Sequence, residues 1–319
     1  MPSTLTSALS IAIIGVGRIG SAFAYQLARA GHDVTVVARP GSRRLSQLQR
    51  DRAIISTAGE RAEVKVADHL DERTPFHLVI VTVLAHQVDA ILPVLKRSEA
   101  RCVHFMFVTP AAKHLQAAVG ENRSTFGLAA VLSTLDRDGK LDLKIPKTKA
   151  VQGDQRWVDL FQAAGMPAKL EPDMPRWLRS QTPLTIAMES VAGTGMQHKR
   201  GATWAEAKVG AKGLRAGFSI LRDLGDTPYP SSKNRMSQAP QFLLTFILRA
   251  VSRSRFRQTV GNSSQEVEGL IDLLTAEAAQ KPTRRNDVAA VLALRPSPAV
   301  HSATQHQRVG SSSGDQAAR

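Results

Sequence analysis

Short apolar runs, each ending in a turn signal, pattern the first half of the chain. Leu9 to Ile14 is such a run, as a strand buried on both faces requires. It leads into Gly15-Val16-Gly17-Arg18-Ile19-Gly20. Phe23, Leu27 and Ala30 then recur at helical spacing over residues 21–30, and Gly31 closes that helix. Val34 to Val37 reads as the second strand, and Leu78 to Val83 as a third strong one. Helical material follows the turn Leu84-Ala85-His86-Gln87 as far as Leu95. Further strands are predicted at Cys102 to Val108 and Phe126 to Val131, a turn at Asp136-Arg137-Asp138-Gly139, and a short helix from Arg156 to Ala164. Pro167, Pro172 and Pro175 punctuate the next stretch and mark a domain junction.

From Trp177 the spacing becomes helical throughout. Leu184 to Val191, Thr203 to Leu224, Gln241 to Val251 and Gln265 to Ala279 are predicted helices, the second stopping at Gly225-Asp226-Thr227-Pro228. The pattern predicts an α/β chain: an amino-terminal Rossmann-type dinucleotide-binding domain over residues 1–170, then an all-helical domain over 171–295. Residues 296–319 are rich in Ser, Gln, Ala and Gly, and read as a disordered tail.

The glycines carry the first chemistry. Between a strand and a helix, Gly15 permits a tight turn, Gly17 lets backbone approach a diphosphate, and Gly20 lets the helix pack on the sheet. The amides opening the helix then face the phosphates. Gly15, Val16, Gly17, Arg18, Ile19 and Gly20 are therefore the expected diphosphate turn. The second strand ends Val37-Ala38-Arg39, where an NAD site places an acid. Arg39 suits a 2′-phosphate instead, with Arg43 or Arg44 assisting and Ser42 as a hydrogen-bond donor. NADP(H) is favoured over NAD(H). Thr82, Val83 and Thr109 fall at the carboxyl ends of strands and join the expected cofactor surroundings, with His86 and Gln87 close by.

Composition narrows the remaining classes. The chain has 319 residues, 43% of them hydrophobic, which is enough for a sizeable core. Its one cysteine excludes an internal disulfide and any multi-cysteine metal site, and no metal is expected. Cys102 sits in an apolar strand and reads as a small buried residue. No apolar run reaches the roughly 18–20 residues that would cross a bilayer, and no Lys or Arg precedes Arg18, so no membrane association is expected and a cytoplasmic protein is. The net charge is +15. Part of it lies between Ser231 and Val260, where Arg249, Arg253 and Arg257 recur at intervals of four, with no acid in the stretch. This reads as a solvated helix face, with nucleic acid or an anionic surface as a competing, less favoured partner.

The ordered set of motifs resembles the ketopantoate reductase family over residues 9–280. Its parts are the Gly15-to-Gly20 turn, Gly31-His32-Asp33-Val34 leading to Arg39, Val81 to Gln87, Trp177-Leu178-Arg179, and Gln265-Glu266-Val267-Glu268. The resemblance implies NADPH-dependent reduction of a 2-oxo acid, a Rossmann domain followed by a helical domain, and a homodimer. It places Arg179 where the family keeps a catalytic lysine, Pro183 and Leu84 where an asparagine and a second lysine stand, Thr109-Pro110 at an Asn-Gly pair, and Glu266 at the acid that grips substrate. The chain thus looks like a divergent branch. Arginine stays protonated and is a poor general acid, but it can hold a carboxylate or a developing alkoxide. The substrate expected is a small anionic carbonyl compound, with Arg179, Glu266 and His86 as candidate catalytic groups. His86 is the candidate proton donor. A catalytically silent NADPH-binding sensor or complex subunit is the alternative.

Overall fold

A computed structural model describes residues 8–198, 200–254, 264–279 and 285–296. The described chain divides into two compact units between Arg179 and Ser180. The expected tail beyond residue 296, and Arg255 and Arg257 of the basic stretch, lie outside the described residues.

The first unit is built on an eight-stranded sheet. β1 (Ser10–Ile14) pairs in parallel with β2 (Asp33–Val37) on one side and β6 (Leu78–Val81) on the other. Outward from β2 lies β5 (Lys65–Ala67). Outward from β6 lie β7 (Val103–Met106), β8 (Ser124–Leu128), the antiparallel β11 (Ala150–Gln152) and β12 (Ala168–Leu170). Ile11 to Ile14 and Leu78 to Val81 are buried at every position, as in a sheet covered on both faces. On one face α1 (Arg18–Arg29) meets α5 (Gln155–Ala163) through Phe23 and Phe161, whose rings stand edge to face with centroids 5.0 Å apart.

The expected strands and helices are present, with shifted ends. The third strong strand stops at Val81, leaving Thr82 and Val83 in the turn after it, and the fourth stops at Met106. Five three-residue strands carry no periodicity signal: β3 (Ala53–Ile55) and β4 (Arg61–Glu63), which pair with each other, edge strand β5, and β11 and β12. Strands of three residues are too short for an alternation to register. The turn at Asp136 closes a hairpin of β9 (Leu132–Leu135) and β10 (Leu141–Lys144). Helices α2 (Arg43–Asp51), α3 (Leu92–Arg97) and α4 (Ala112–Val119) complete this unit, with a 3-10 turn at Ala85–Ala90.

Helix α6 (Met174–Met196) runs through the boundary residues and is longer than its spacing predicted, with Pro183 inside it. The second unit is helical among its described residues: α7 (Trp204–Asp223), α8 (Ser231–Ser237), α9 (Gln241–Arg253), α10 (Ser264–Ala279) and α11 (Arg285–Leu292). Thr203 and Glu206 form a reciprocal cap at the start of α7. Gly217 of α7 lies against the ring of Pro183, where a Cβ would be 2.8 Å from the proline Cβ. The expected solvated basic face of α9 holds at Arg253, which is exposed, but not at Arg249. Phe242 and Phe246 are 69% and 61% exposed, while Arg249 is half-buried with its guanidinium 5.9 Å from the Trp204 ring centroid. No described helix is long and apolar enough to cross a membrane.

Candidate functional site

The sheet order reverses direction at β1: the chain proceeds from β1 outward to β2 and β5, then returns to β6 on the other side. Such a switch point opens a crevice at the carboxyl ends of the adjacent strands. The turn Gly15 to Gly20 leaves β1 at that crevice, and Thr82-Val83 leaves β6 beside it.

Each glycine of the turn has a distinct steric reason. Gly15 has φ +93°, and a Cβ there would lie 2.9 Å from Val83 Cγ1. At Gly20 a Cβ would fall 2.2 Å from the Gly15 carbonyl oxygen and 2.6 Å from Thr82 Oγ1, so only glycine lets α1 come this close. Gly17 is exposed, and a Cβ there would have nothing within 4 Å. Packing therefore demands the first and third glycines and leaves open space at the second. Thr82 Oγ1 donates to the Gly15 carbonyl at 2.6 Å, so its hydroxyl is engaged in holding the turn.

At the end of β2, Arg39 is exposed and its side chain makes no hydrogen bond or ion pair with described residues. Ser42 caps α2, its Oγ accepting from Leu45 N–H at 3.1 Å, which takes that hydroxyl's acceptor role locally. Arg43 is exposed and donates to the Arg137 carbonyl at 2.7 Å. Arg44 is corrected from a 2′-phosphate partner to an internal brace of the turn. Its guanidinium is half-buried, turned toward the glycine turn, and bound to Val16 O, Ser21 Oγ and Gly139 O.

The turn after β7 brings the remaining candidates of this unit. Thr109 is buried and its Oγ1 accepts from Ala111 N–H at 3.1 Å. The next carbonyl, that of Pro110, accepts from Arg179 Nη1 at 2.7 Å. Arg179 is thereby held at the carboxyl end of β7, a placement no local pattern in the sequence announces. His86 is exposed on the 3-10 turn after β6 and makes no side-chain bond with described residues. Glu266 is half-buried in the first turn of α10, in the second unit.

Deeper in the sheet lies a polar cluster that sequence reasoning missed. His104, wholly buried on β7, meets Thr125 Oγ1 at 2.8 Å through Nδ1 and Gln152 Oε1 at 2.9 Å through Nε2. Trp157 Nε1 donates to the same Thr125 hydroxyl at 3.0 Å. Desolvation pushes the His104 pKa down to about 4, so it stays neutral near pH 7. Cys102 is buried as expected, and burial raises its thiol pKa, which leaves it a poor nucleophile. Only a position-by-position alternation over β7 could have flagged His104, and its four buried residues alternate nothing.

A parallel sheet with a glycine turn at its switch point, followed by a helical region, defines the Rossmann-like class of two-part α/β proteins. The family model described as ketopantoate reductase PanE/ApbA matches residues 11–154 of the chain. No curated protein matches the sequence. Among solved structures, the chain is similar to a PanE/ApbA family ketopantoate reductase from Ralstonia eutropha JMP134, at TM-score 0.67 and 16% identity over 93% of this chain and 99% of that one. The 2-dehydropantoate 2-reductase from Geobacter metallireducens GS-15 gives TM-score 0.66 and 15% identity over 89% and 98%. D-mandelate dehydrogenase, solved with NADH, gives TM-score 0.67 and 11% identity over 93% and 99%. At these identities the likeness speaks for the fold.

Proposed function

We propose that the chain is an NADPH-dependent oxidoreductase that reduces a small anionic carbonyl compound, a 2-oxo acid. The observation that carries the reading is the contrast within the glycine turn: packing explains Gly15 and Gly20, while Gly17 faces open space. The turn's geometry fits a dinucleotide diphosphate, held by the amides of Gly17 to Gly20 with Val16 behind them. Arg39, exposed and unengaged, supports a 2′-phosphate, with Arg43 near it in sequence.

Bound NADPH supplies the hydride. The chain supplies binding, orientation and charge. Arg179, tethered to the Pro110 carbonyl, presents a permanent cation for a substrate carboxylate or a developing alkoxide. Glu266 orients the substrate's hydroxyl or cationic group, and His86 is the candidate proton donor. The protein acts as a cytoplasmic homodimer, which cell fractionation and light scattering test.

Titration with NADPH and NADH, then a panel of 2-oxo acids followed at the nicotinamide absorbance, tests the reading. NADPH binding with turnover of one or more acids supports it. Binding of neither cofactor overturns it. The second reading, a silent NADPH-binding sensor, is favoured by Leu84 and Arg179, the positions at which the resemblance implies lysines. Tight NADPH binding without turnover across the panel would select it. An Arg39→Ala variant that keeps full preference for NADPH would refute the phosphate assignment.

A further inference from the structure

Arg44 lies second in α2, yet its side chain serves the turn at the end of β1. Nε donates to the Val16 carbonyl at 3.1 Å, Nη2 to Ser21 Oγ at 2.7 Å, and Nη1 to the Gly139 carbonyl at 2.8 Å and to Gln47 Oε1. Four acceptors from α1, α2, the glycine turn and the β9–β10 hairpin converge on one guanidinium. All four are neutral. The carboxylate whose charge reaches it, Asp51, is already bound by Gln47 Nε2 at 2.6 Å and Arg50 Nε at 2.8 Å. Desolvation lowers the Arg44 pKa to about 10.

Two consequences follow from elementary chemistry. The Val16–Gly17 peptide is planar and trans, so holding the Val16 carbonyl toward Arg44 aims the Gly17 N–H the opposite way. Ser21 Oγ, donating to the same carbonyl at 3.3 Å, reinforces that orientation. A partly desolvated cation with only neutral acceptors also lacks a counter-charge, and it sits behind the helix start where anions bind.

We propose that Arg44 is the positioning residue of the dinucleotide turn: it fixes the Val16–Gly17 peptide with its N–H outward, and the phosphates of a bound dinucleotide offset its unmatched charge. The inference rests on the dinucleotide reading above. It assigns Arg44 to the diphosphate common to both cofactors, whereas Arg39 serves the phosphate that distinguishes them.

Dissociation constants for NADPH and NADH, measured by nicotinamide fluorescence across a range of salt, test it on the full chain. Arg44→Met is expected to weaken both cofactors tenfold or more, by the same factor, and to flatten the salt dependence. Arg44→Lys keeps the charge but cannot span four acceptors. It should retain the salt dependence while recovering only part of the affinity. Gly139→Ala provides a variant with Arg44 intact: its Cβ would lie 2.7 Å from Arg44 Nη1 at a position with φ +78°, so it displaces the guanidinium and should weaken both cofactors alike. If Arg44→Met does not fold, the other two carry the test. Affinities within twofold of wild type for both cofactors overturn the proposal, as does a loss confined to NADPH. Failure of the wild-type chain to bind either cofactor instead overturns the dinucleotide reading, and is seen before any variant is made.

Discussion

Thr82 Oγ1 sits 2.6 Å from the Gly15 carbonyl oxygen, joining the ends of the two neighbouring strands β6 and β1 across the switch point of the sheet. A Cβ on Gly20 would collide with both of these oxygens. Turn, helix start and neighbouring strand are one interlocked unit, and mutations there separate stability from binding.

Gly17→Ala and Gly20→Ala are expected to behave oppositely. The Gly17 variant adds a methyl to open space, so its melting temperature stays at the wild-type value while NADPH affinity falls. The Gly20 variant must push backbone aside, at a cost of about 1–3 kcal/mol or more, and loses stability together with affinity. Thermal melts and cofactor titration of the two proteins check this. Equal affinity in the Gly17 variant and wild type would refute the site.

Thr82→Val removes the donor to the Gly15 carbonyl, at a cost of about 1 kcal/mol. Thr82→Ser keeps the hydroxyl and should recover most of it. Urea unfolding of the pair distinguishes a lost hydrogen bond from a lost shape.

His104 makes stability fall on mild acidification. Its folded-state pKa of about 4 lies below the unfolded value near 6.5, so the unfolded chain takes up the proton first. The contribution is fully present above about pH 6.5 and is lost as pH drops toward 4. Between pH 7.5 and pH 5 the loss from this group amounts to about 2 kcal/mol. His104→Asn should be less stable at pH 7.5 and much less sensitive to the change. Unfolding curves at the two pH values measure the difference, and an unchanged slope in the variant would sink the assignment.

Arg179→Met should lower kcat/KM on the substrate that the acid panel identifies by a hundredfold or more, with cofactor affinity changed little. Retention of activity would remove Arg179 from the substrate site. Since arginine does not titrate near neutrality, Arg179→Lys adds an ionising group at that position, and a new limb in the pH–rate profile on the alkaline side is expected.

Gly217→Ala in α7 places a Cβ 2.8 Å from the rigid ring of Pro183. A destabilisation of about 1–3 kcal/mol is expected, since a proline ring cannot rotate away. Calorimetry checks it.

Much of the fold is legible along the chain because its signals are local. Ile11 to Ile14 running into three glycines and then Phe23 and Leu27 announces strand, turn and helix without reference to anything distant. The reciprocal cap of Thr203 and Glu206 likewise spans only one turn. Arg43 and Arg44 show the limit. Adjacent in sequence and identical in type, both reach the β9–β10 turn, but Arg43 stays exposed whereas Arg44 also turns inward to Val16 and Ser21. One residue along a helix rotates a side chain by about 100°, and only the packed partners say which direction is inside.

The sequence by itself determined the glycine turn, the strands that flank it along the chain, the helical second half and the lack of an acid after β2. These follow from periodicity, steric permission and charge within a few neighbouring residues. The tertiary structure decided what depends on residues far apart in the chain: that Thr82 closes on Gly15, that Arg179 reaches Pro110 across 69 positions, that His104 lies buried between Thr125 and Gln152, and that Arg44 braces the turn. Such contacts form when strands distant in sequence are brought side by side, and the energy of each depends on desolvation and geometry that no local pattern encodes.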